Sequence, residues 1–276
     1  MARSEGLFVV RRPAVAGYYY PADPGRLRSA VDRLAPFSSL RRDVRAMILP
    51  HGSFMQPGHV MGAAFAGATI PRRCIVVGPS HTGSWIRWGV MASGAYQTPL
   101  GEIPIDQEGA EALRRRCPFL EADRWVQRGE HAIEVLLPFL QRLGPEDLSL
   151  LPIIVGEEDA ERCAQLGQAL AQLIRMSEEP ALLIASSDLS QYQSQPDGQA
   201  KDRRLIERLC ALDAPGLLQA VQEEPITMCG AGAAACVLDA ARALGAARGT
   251  AVAYASSAQA GGDPDSATGY AGIIIE

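Results

Sequence analysis

The chain has 276 residues, 47% of them hydrophobic and 21% charged, with a formal net charge of -5. An ordinary apolar share and a small charge exclude a mainly disordered chain, and no apolar run nears the roughly 18 residues of a membrane span. The acidic balance, 31 Asp and Glu against 26 Lys and Arg, argues against a nucleic-acid binder, whose basic footprint would dominate.

The N-terminal run Leu7-Phe8-Val9-Val10 is too short for a secretory leader, so a soluble, cytoplasmic protein with neither nucleic-acid nor membrane partners is expected. In chain order, Asp23-Pro24 reads as an N-cap and first-turn proline for a helix ending near Pro36. Val44 to Leu49 reads as a strand, followed by a Gly-rich turn and a helix over Gly58 to Ala68. Cys74 to Gly78 is the next strand, with shorter ones at Gly89 to Ser93 and near Ile103. Helices are predicted at Asp106 to Arg116, Ala132 to Leu143 and Asp159 to Met176, the last flanked by strands at Leu148 to Val155 and Ala181 to Ser186. Helices near Lys201 to Leu212 and Gly230 to Leu244 precede closing strands at Thr250 to Ser256 and Gly269 to Ile275. Pro79 to Trp88 and Gln191 to Gln199 are the longest connections, and both read as functional loops. Strands alternating with helices imply an α/β fold, a single domain over 1–276 with a largely parallel or mixed central sheet covered by helices.

None of the six cysteines forms a C-x-x-C pair, and a globule of this size needs no disulfide staples. Cys74, Cys163, Cys210 and Cys236 sit in apolar strand or helix patterns and read as small core residues. Cys229 differs. It follows Pro225-Ile226-Thr227-Met228 and opens the small-residue helix at Gly230, where unpaired N–H groups and the helix dipole favour thiolate.

Ligands of open α/β sheets gather beyond the carboxyl ends of the strands. Three predicted strands end in reactive side chains: Pro50-His51, Pro79-Ser80-His81 and Ser186-Ser187-Asp188. In a parallel sheet these converge on one rim. Two imidazoles and a thiolate would then form a three-ligand site with an open position for a borderline-soft metal. Plainer readings exist for each residue. His51 suits a hydrogen-bonded core histidine as well as a ligand, and His59, after Pro57-Gly58, suits a helix cap or the surface. Glu130 before His131 suits a helix first turn, and Asp188 an N-cap or turn. The chain lacks G-x-S-x-G, P-loop, H-E-x-x-H and G-x-G-x-x-G signatures.

Taken together, the short motifs resemble the MEMO family, also called AmmeMemoRadiSam system protein B. They run in order from Arg12-Pro13-Ala14-Val15-Ala16-Gly17 and Tyr18-Tyr19-Tyr20-Pro21 through Pro50-His51, Gly78-Pro79-Ser80-His81 and Tyr96-Gln97-Thr98-Pro99-Leu100-Gly101. Glu130-His131-Ala132-Ile133-Glu134, Ser186-Ser187-Asp188-Leu189-Ser190, Cys229-Gly230 and Thr268-Gly269-Tyr270 continue the match over nearly the whole chain. The resemblance implies a fold similar to the B-type subunit of class III extradiol dioxygenases, in which two histidines and a carboxylate hold non-haem iron and a further histidine handles protons. It also implies a single iron or copper site at His51, His81 and Cys229, no nucleotide cofactor, and AMMECR1-like and radical-SAM system partners. Asp188, Glu130 and His131 would orient ligands or substrate.

Departures from the family pattern fall at this pocket. Pro50-His51-Gly52-Ser53-Phe54-Met55-Gln56 places Phe54 and Gln56 where the family has tyrosines, which would remove two substrate-orienting hydroxyls. Gln191 stands where the family has its proton-handling histidine, and a carboxamide cannot exchange a proton near pH 7. The leading expectation is a metal-dependent oxidoreductase acting on a small polar substrate and impaired by Gln191. One alternative is a catalytically silent module binding a peptide or modified side chain. A further alternative is a metal-free hydrolase or transferase using Cys229.

Overall fold

The computed structural model describes residues 9–36, 38, 41–83, 85–123, 125, 127–223 and 226–276. Leu7 and Phe8 of the N-terminal apolar run, and Pro225 before Cys229, lie outside the described residues.

In chain order the strands and helices are β1 (Val10–Arg11), α1 (Pro24–Leu34), β2 (Ala46–Leu49), α2 (Gly58–Ala66), β3 (Arg73–Gly78), β4 (Trp88–Val90), β5 (Ala95–Thr98) and β6 (Gly101–Pro104). They continue as α3 (Gln107–Arg116), β7 (Glu121–Ala122), α4 (Leu137–Leu143), β8 (Ser149–Val155), α5 (Ala160–Arg175) and β9 (Ala181–Ser186). The rest are α6 (Gln195–Cys210), α7 (Ala214–Glu223), α8 (Ala231–Ala243), β10 (Gly249–Ser256) and β11 (Gly269–Ile275). The main sheet has the order β10-β11-β2-β9-β3-β8-β4-β7. Its centre, β2-β9-β3-β8, is parallel, while β11 pairs antiparallel with β2 and β4 antiparallel with β8. The sheet is therefore mixed, with a parallel heart.

Alternation along the central strands divides the core in two, because successive side chains point to opposite faces. Met47, Leu49, Val76 and Ile184 pack with Val31 of α1, Phe65 of α2 and Phe139 of α4. Ile48, Ile75, Val77 and Ala185 pack on the other face with Leu170 of α5, Leu209 of α6, Leu217 of α7 and Leu238 of α8. Burial on both faces explains why these strands read as continuous apolar runs. Helix α8 is built of small residues because it lies tight against α5: a Cβ on Gly167 would sit 2.8 Å from the Cys236 carbonyl oxygen.

Several elements differ from the sequence reading. The polar run Gln191 to Gln199 is only partly a loop, since α6 begins at Gln195 behind a Ser194 cap, with Pro in its first turn and Asp197 beside it. That capping signature outweighs the polar composition. The segment from Ala132 enters α4 through a 3-10 turn at Glu134–Leu136 rather than as one regular helix. Strands β1, β5 and β7 fall outside the sequence reading because they are short or set by pairing rather than local pattern; helix α7, ten residues long, falls outside it as well. β1 and β6 flank β5 in a separate three-stranded sheet.

β1 delivers Arg11 into the interior. Its Nε donates to the Gln127 carbonyl at 3.0 Å, its Nη2 donates to the Glu130 carbonyl, and its Nη1 pairs with the fully buried Glu134. Glu134 also accepts from the Ala14 and Val15 N–H groups at 2.8 and 3.1 Å and from the Tyr20 hydroxyl. This cluster ties the N-terminal segment to the 127–134 stretch that carries Glu130 and His131. Among the described residues, no helix is long and apolar enough to cross a membrane.

Candidate metal centre

His51 leaves the end of β2 and is buried. Its N–H donates to Asp188 Oδ1 at 2.9 Å, joining the ends of β2 and β9. Its Nδ1 lies 2.9 Å from Ser186 Oγ, and the Ser186 hydroxyl donates to the Ala132 carbonyl at 2.7 Å. With that proton committed, Ser186 Oγ can only accept, so Nδ1 carries the hydrogen and Nε2 presents a lone pair. Nε2 is buried and has no hydrogen-bond partner; Asp188 Oδ2 lies 3.7 Å away. Burial, with the nearby His81, pushes the imidazole pKa down to about 3, which keeps it neutral and able to ligate.

His81 follows β3. Its N–H donates to Glu130 Oε2 at 2.5 Å, and its Nδ1 lies 2.8 Å from Glu130 Oε1, which also accepts the Ala132 N–H at 2.9 Å. Burial opposes charge on Glu130, but its bonds to His81 and Ala132 prevail and hold it down to about 2. Burial likewise opposes charge on His81, and Glu130 with Asp188 raises its pKa nonetheless. The carboxylate fixes the ring and leaves Nε2, 3.0 Å from Cys229 Sγ, facing the thiol. A carboxylate behind an imidazole is the usual support of a metal-ligating histidine.

Cys229 precedes α8 and is held by the Ser187 hydroxyl, which donates to its carbonyl at 2.8 Å. Gly230 has a φ of 90°, and a Cβ there would sit 2.5 Å from the Ser186 carbonyl oxygen, so glycine alone allows α8 this close to β9. The expected thiolate is not found. Burial first, then Asp188, Glu130 and Glu158, push the thiol pKa well above its ordinary value. A cation is what this desolvated thiol, beside several carboxylates, lacks.

One ligand atom from each of His51, His81 and Cys229 lies within 4.8 Å of the others, close enough for small side-chain movements to bring all three onto one ion. The donor set and the orphaned His51 Nε2 fit a metal. His131 joins the cluster, its ring stacked on His81 at 4.4 Å and edge-on to His51 at 5.6 Å. Burial and the neighbouring His51 lower its pKa to about 4. Burial raises Asp188 to about 6 against the His51 N–H bond, and the Gln191 side chain also hydrogen-bonds it. Glu130 lies behind the rings, whereas His51, His81, His131, Asp188, Gln191 and Cys229 line one cavity of about 630 Å3.

A model for Memo-like proteins matches residues 11–274 of this sequence. The chain belongs to the Memo family. It is 34% identical to a MEMO1 family protein of Methanopyrus kandleri, over 96% of this chain and 98% of that one. The MEMO1 family proteins of Methanothermobacter thermautotrophicus and Aquifex aeolicus are 35% and 33% identical, covering 95% and 96% of this chain and 99% of each relative. A solved structure of an uncharacterised protein from Escherichia coli K12 superposes with a TM-score of 0.52 at 16% identity, over 84% of this chain and 100% of that one, and shares the fold.

In this Memo-family chain the substitutions around the site have unequal consequences. Phe54 does not remove a hydroxyl from the cavity; it is buried against Tyr20 and Phe139 and lies outside the lining. Gln56 does line it, and its Oε1 accepts the Tyr270 hydroxyl at 3.0 Å. His59 is exposed on α2, away from the cluster. The sequence reading missed Ser186 as the group that sets the His51 tautomer, and Tyr19 and Tyr270 as lining hydroxyls. Ser186 and Tyr270 were visible only as parts of longer motifs, and nothing in the spacing brings Tyr19 against His131, 4.9 Å between rings.

Proposed function

We propose that this Memo-family chain holds one redox-active iron or copper ion at His51, His81 and Cys229 and acts as a metal-dependent oxidoreductase on a small polar substrate in the adjoining cavity. The support is the buried, partnerless Nε2 of His51, facing a site that two further donors share. Leaving such an atom unpaired costs about 1–3 kcal/mol, a cost that a ligated ion removes. Bound there, the ion would supply electron exchange and Lewis acidity.

The chain's own residues divide the remaining tasks. Glu130 accepts the His81 Nδ1 hydrogen and Ser186 that of His51, so both rings present Nε2. Asp188 ties the His51 backbone to β9, and Gln191 ties Asp188 to the following loop. Among the described residues no lysine or arginine lines the cavity, so substrate is held by neutral donors and acceptors: the Tyr19 and Tyr270 hydroxyls and the Gln56 and Gln191 amides. Gln191 orients a substrate or water but moves no proton near pH 7. His131 is a further imidazole of the cavity; with its pKa lowered to about 4 it stays neutral and offers a hydrogen bond there.

Gln191 also favours a second reading, in which the loaded site binds a modified side chain or peptide without turnover. Work alongside AMMECR1-like and radical-SAM partners belongs to the proposal on the resemblance alone, and a cytoplasmic setting on the short N-terminal apolar run and the lack of a membrane-length apolar run.

The test is anaerobic reconstitution followed by oxygen consumption. Wild type should take up one iron or copper per chain, and Cys229→Ala should take up none. Gln191→His should raise oxygen-dependent turnover by up to about 10²-fold, within the range general acid–base groups supply, with metal content unchanged. Robust wild-type turnover that survives Gln191→Ala would move the proton role elsewhere, and silence in both proteins at matched metal content selects the binding reading.

A further inference from the structure

We infer that the groove beside the cavity is a second substrate pocket, taking an apolar arm with an anionic end while the polar head of the same small molecule occupies the cavity. The inference rests on the proposal that the cavity is the substrate site. A depression of about 520 Å3 runs along α1 and meets the cavity at Tyr18 and Tyr19, which line both. Its walls are mostly apolar, from Tyr20, Leu34, Phe54 and Met55. Tyr18 is 86% and Met55 87% exposed, so large apolar surface stands uncovered at the junction. Isolated exposed apolar residues are ordinary, but two beside a concave site mark a place that a ligand covers.

The groove also carries charge. Arg26 and Arg33 line the groove from α1, two turns apart on one helix face and so about 10 Å apart along the axis. Both are exposed, and among the described residues neither has an acidic partner, whereas Asp32 on the same helix is paired with Arg142 at 2.8 Å. Asp23 also lines the groove, but its Oδ1 caps α1 by accepting the Arg26 N–H at 2.8 Å. Two guanidinium groups lining an apolar trough, with no acidic partner among the described residues, match a carboxylate or phosphate-bearing arm. Among the described residues, the cavity itself has no lysine or arginine for such a group. Polarity is thus split between the two depressions: neutral donors and a candidate metal in one, apolar walls with arginines in the other. Each volume suits part of a small molecule.

Two binding experiments on the full chain test this. In metal-free protein, octanoate should bind about tenfold more tightly than octanol, and octyltrimethylammonium more weakly than either, by titration calorimetry. The preference should fall with salt and vanish in R26A/R33A. Both arginines are exposed, so thermal melts should match wild type, and Met55→Asn should weaken octanoate and octanol alike. In Co(II)-loaded protein, mono-hydroxamates of α,ω-dicarboxylic acids should gain about tenfold over matched alkyl hydroxamates at one chain length, and R26A/R33A should erase the gain. Equal affinity for the three octyl probes, an unchanged preference in R26A/R33A, or no gain from the terminal carboxylate at any length overturns the inference. So does tight binding of an oligoglutamate peptide without octanoate binding. Cobalt–thiolate absorption reads the metal site separately. Cobalt uptake without octanoate selectivity overturns the groove alone, while selectivity without cobalt uptake supports the groove and overturns the metal reading.

Discussion

Two buried polar clusters adjoin in the stretch from Gln127 to Glu134, and they treat their hydrogen bonds in opposite ways. Around Arg11 every guanidinium nitrogen has an acceptor, both carboxylate oxygens of Glu134 are used, and Gln127 accepts from the Tyr96 hydroxyl and donates to the Pro152 carbonyl at 3.0 Å. Around His51 the network stops one atom short, at Nε2. Both clusters are desolvated, so the difference is not one of environment. A saturated cluster has no valence left for a ligand and can only hold backbone in place; an unsaturated one facing a cavity retains a donor for something else.

The largest expected effect breaks the saturated cluster. Arg11→Ala leaves the Glu134 carboxylate buried and unpaired and should cost about 3–5 kcal/mol in urea unfolding. Arg11→Lys should recover little, since one ammonium cannot serve the Gln127 and Glu130 carbonyls and Glu134 together. A loss below about 1 kcal/mol would mean that the cluster does not hold the 127–134 stretch.

Acid should expose the other cluster. In metal-free protein His51 and His131 have pKa values lowered to about 3 and about 4 from 6.5, so the unfolded chain binds their protons first as pH falls below 6.5, and stability drops on the order of a few kcal/mol towards pH 4. Asp188, raised to about 6, works in the opposite sense, because the folded chain takes its proton first. One carboxylate does not offset two imidazoles. His81, raised, contributes stability present below 6.5 and lost as pH rises through its folded value. Unfolding free energies across pH 4–8 measure the balance, and a flat profile would contradict the buried neutral imidazoles.

A smaller effect separates ligation from packing. Ser186→Ala removes the acceptor that fixes His51 Nδ1–H and should weaken metal affinity about 10- to 100-fold in chelator competition. Chelated protein should alkylate slowly at Cys229 at neutral pH, since its environment favours the protonated thiol, and fast labelling there would argue against that environment. His59→Ala, on the exposed face of α2, should change stability by less than about 0.5 kcal/mol and leave metal uptake untouched.

Much of this was readable in one dimension. Apolar runs marked β2, β3, β8 and β9 because strands buried on both faces have no polar positions to interrupt them. Parallel direction then placed His51, His81 and Asp188 at one end, since each follows the carboxyl end of its strand. Asp23, Asp106 and Asp159 marked helix starts through local capping chemistry, each accepting from a backbone N–H three residues on. The start of α6 had the same signal at Ser194, hidden in polar surroundings.

What sequence could not supply was the sum of longer-range effects on each group. Local pattern predicted a thiolate at Cys229 from the helix end beside it; the folded chain buries the thiol and brings in Asp188, Glu130 and Glu158 from other segments, and both effects favour the protonated form. The family resemblance implied that Phe54 removes a cavity hydroxyl, and packing against Phe139 turns it into the core. The His51 tautomer depends on Ser186, which in turn depends on the Ala132 carbonyl, three segments that meet only in the fold. Periodicity and capping act over a few residues and are written in order along the chain. Desolvation and charge act through space, so the tertiary structure alone decided which imidazole nitrogen was left without a partner.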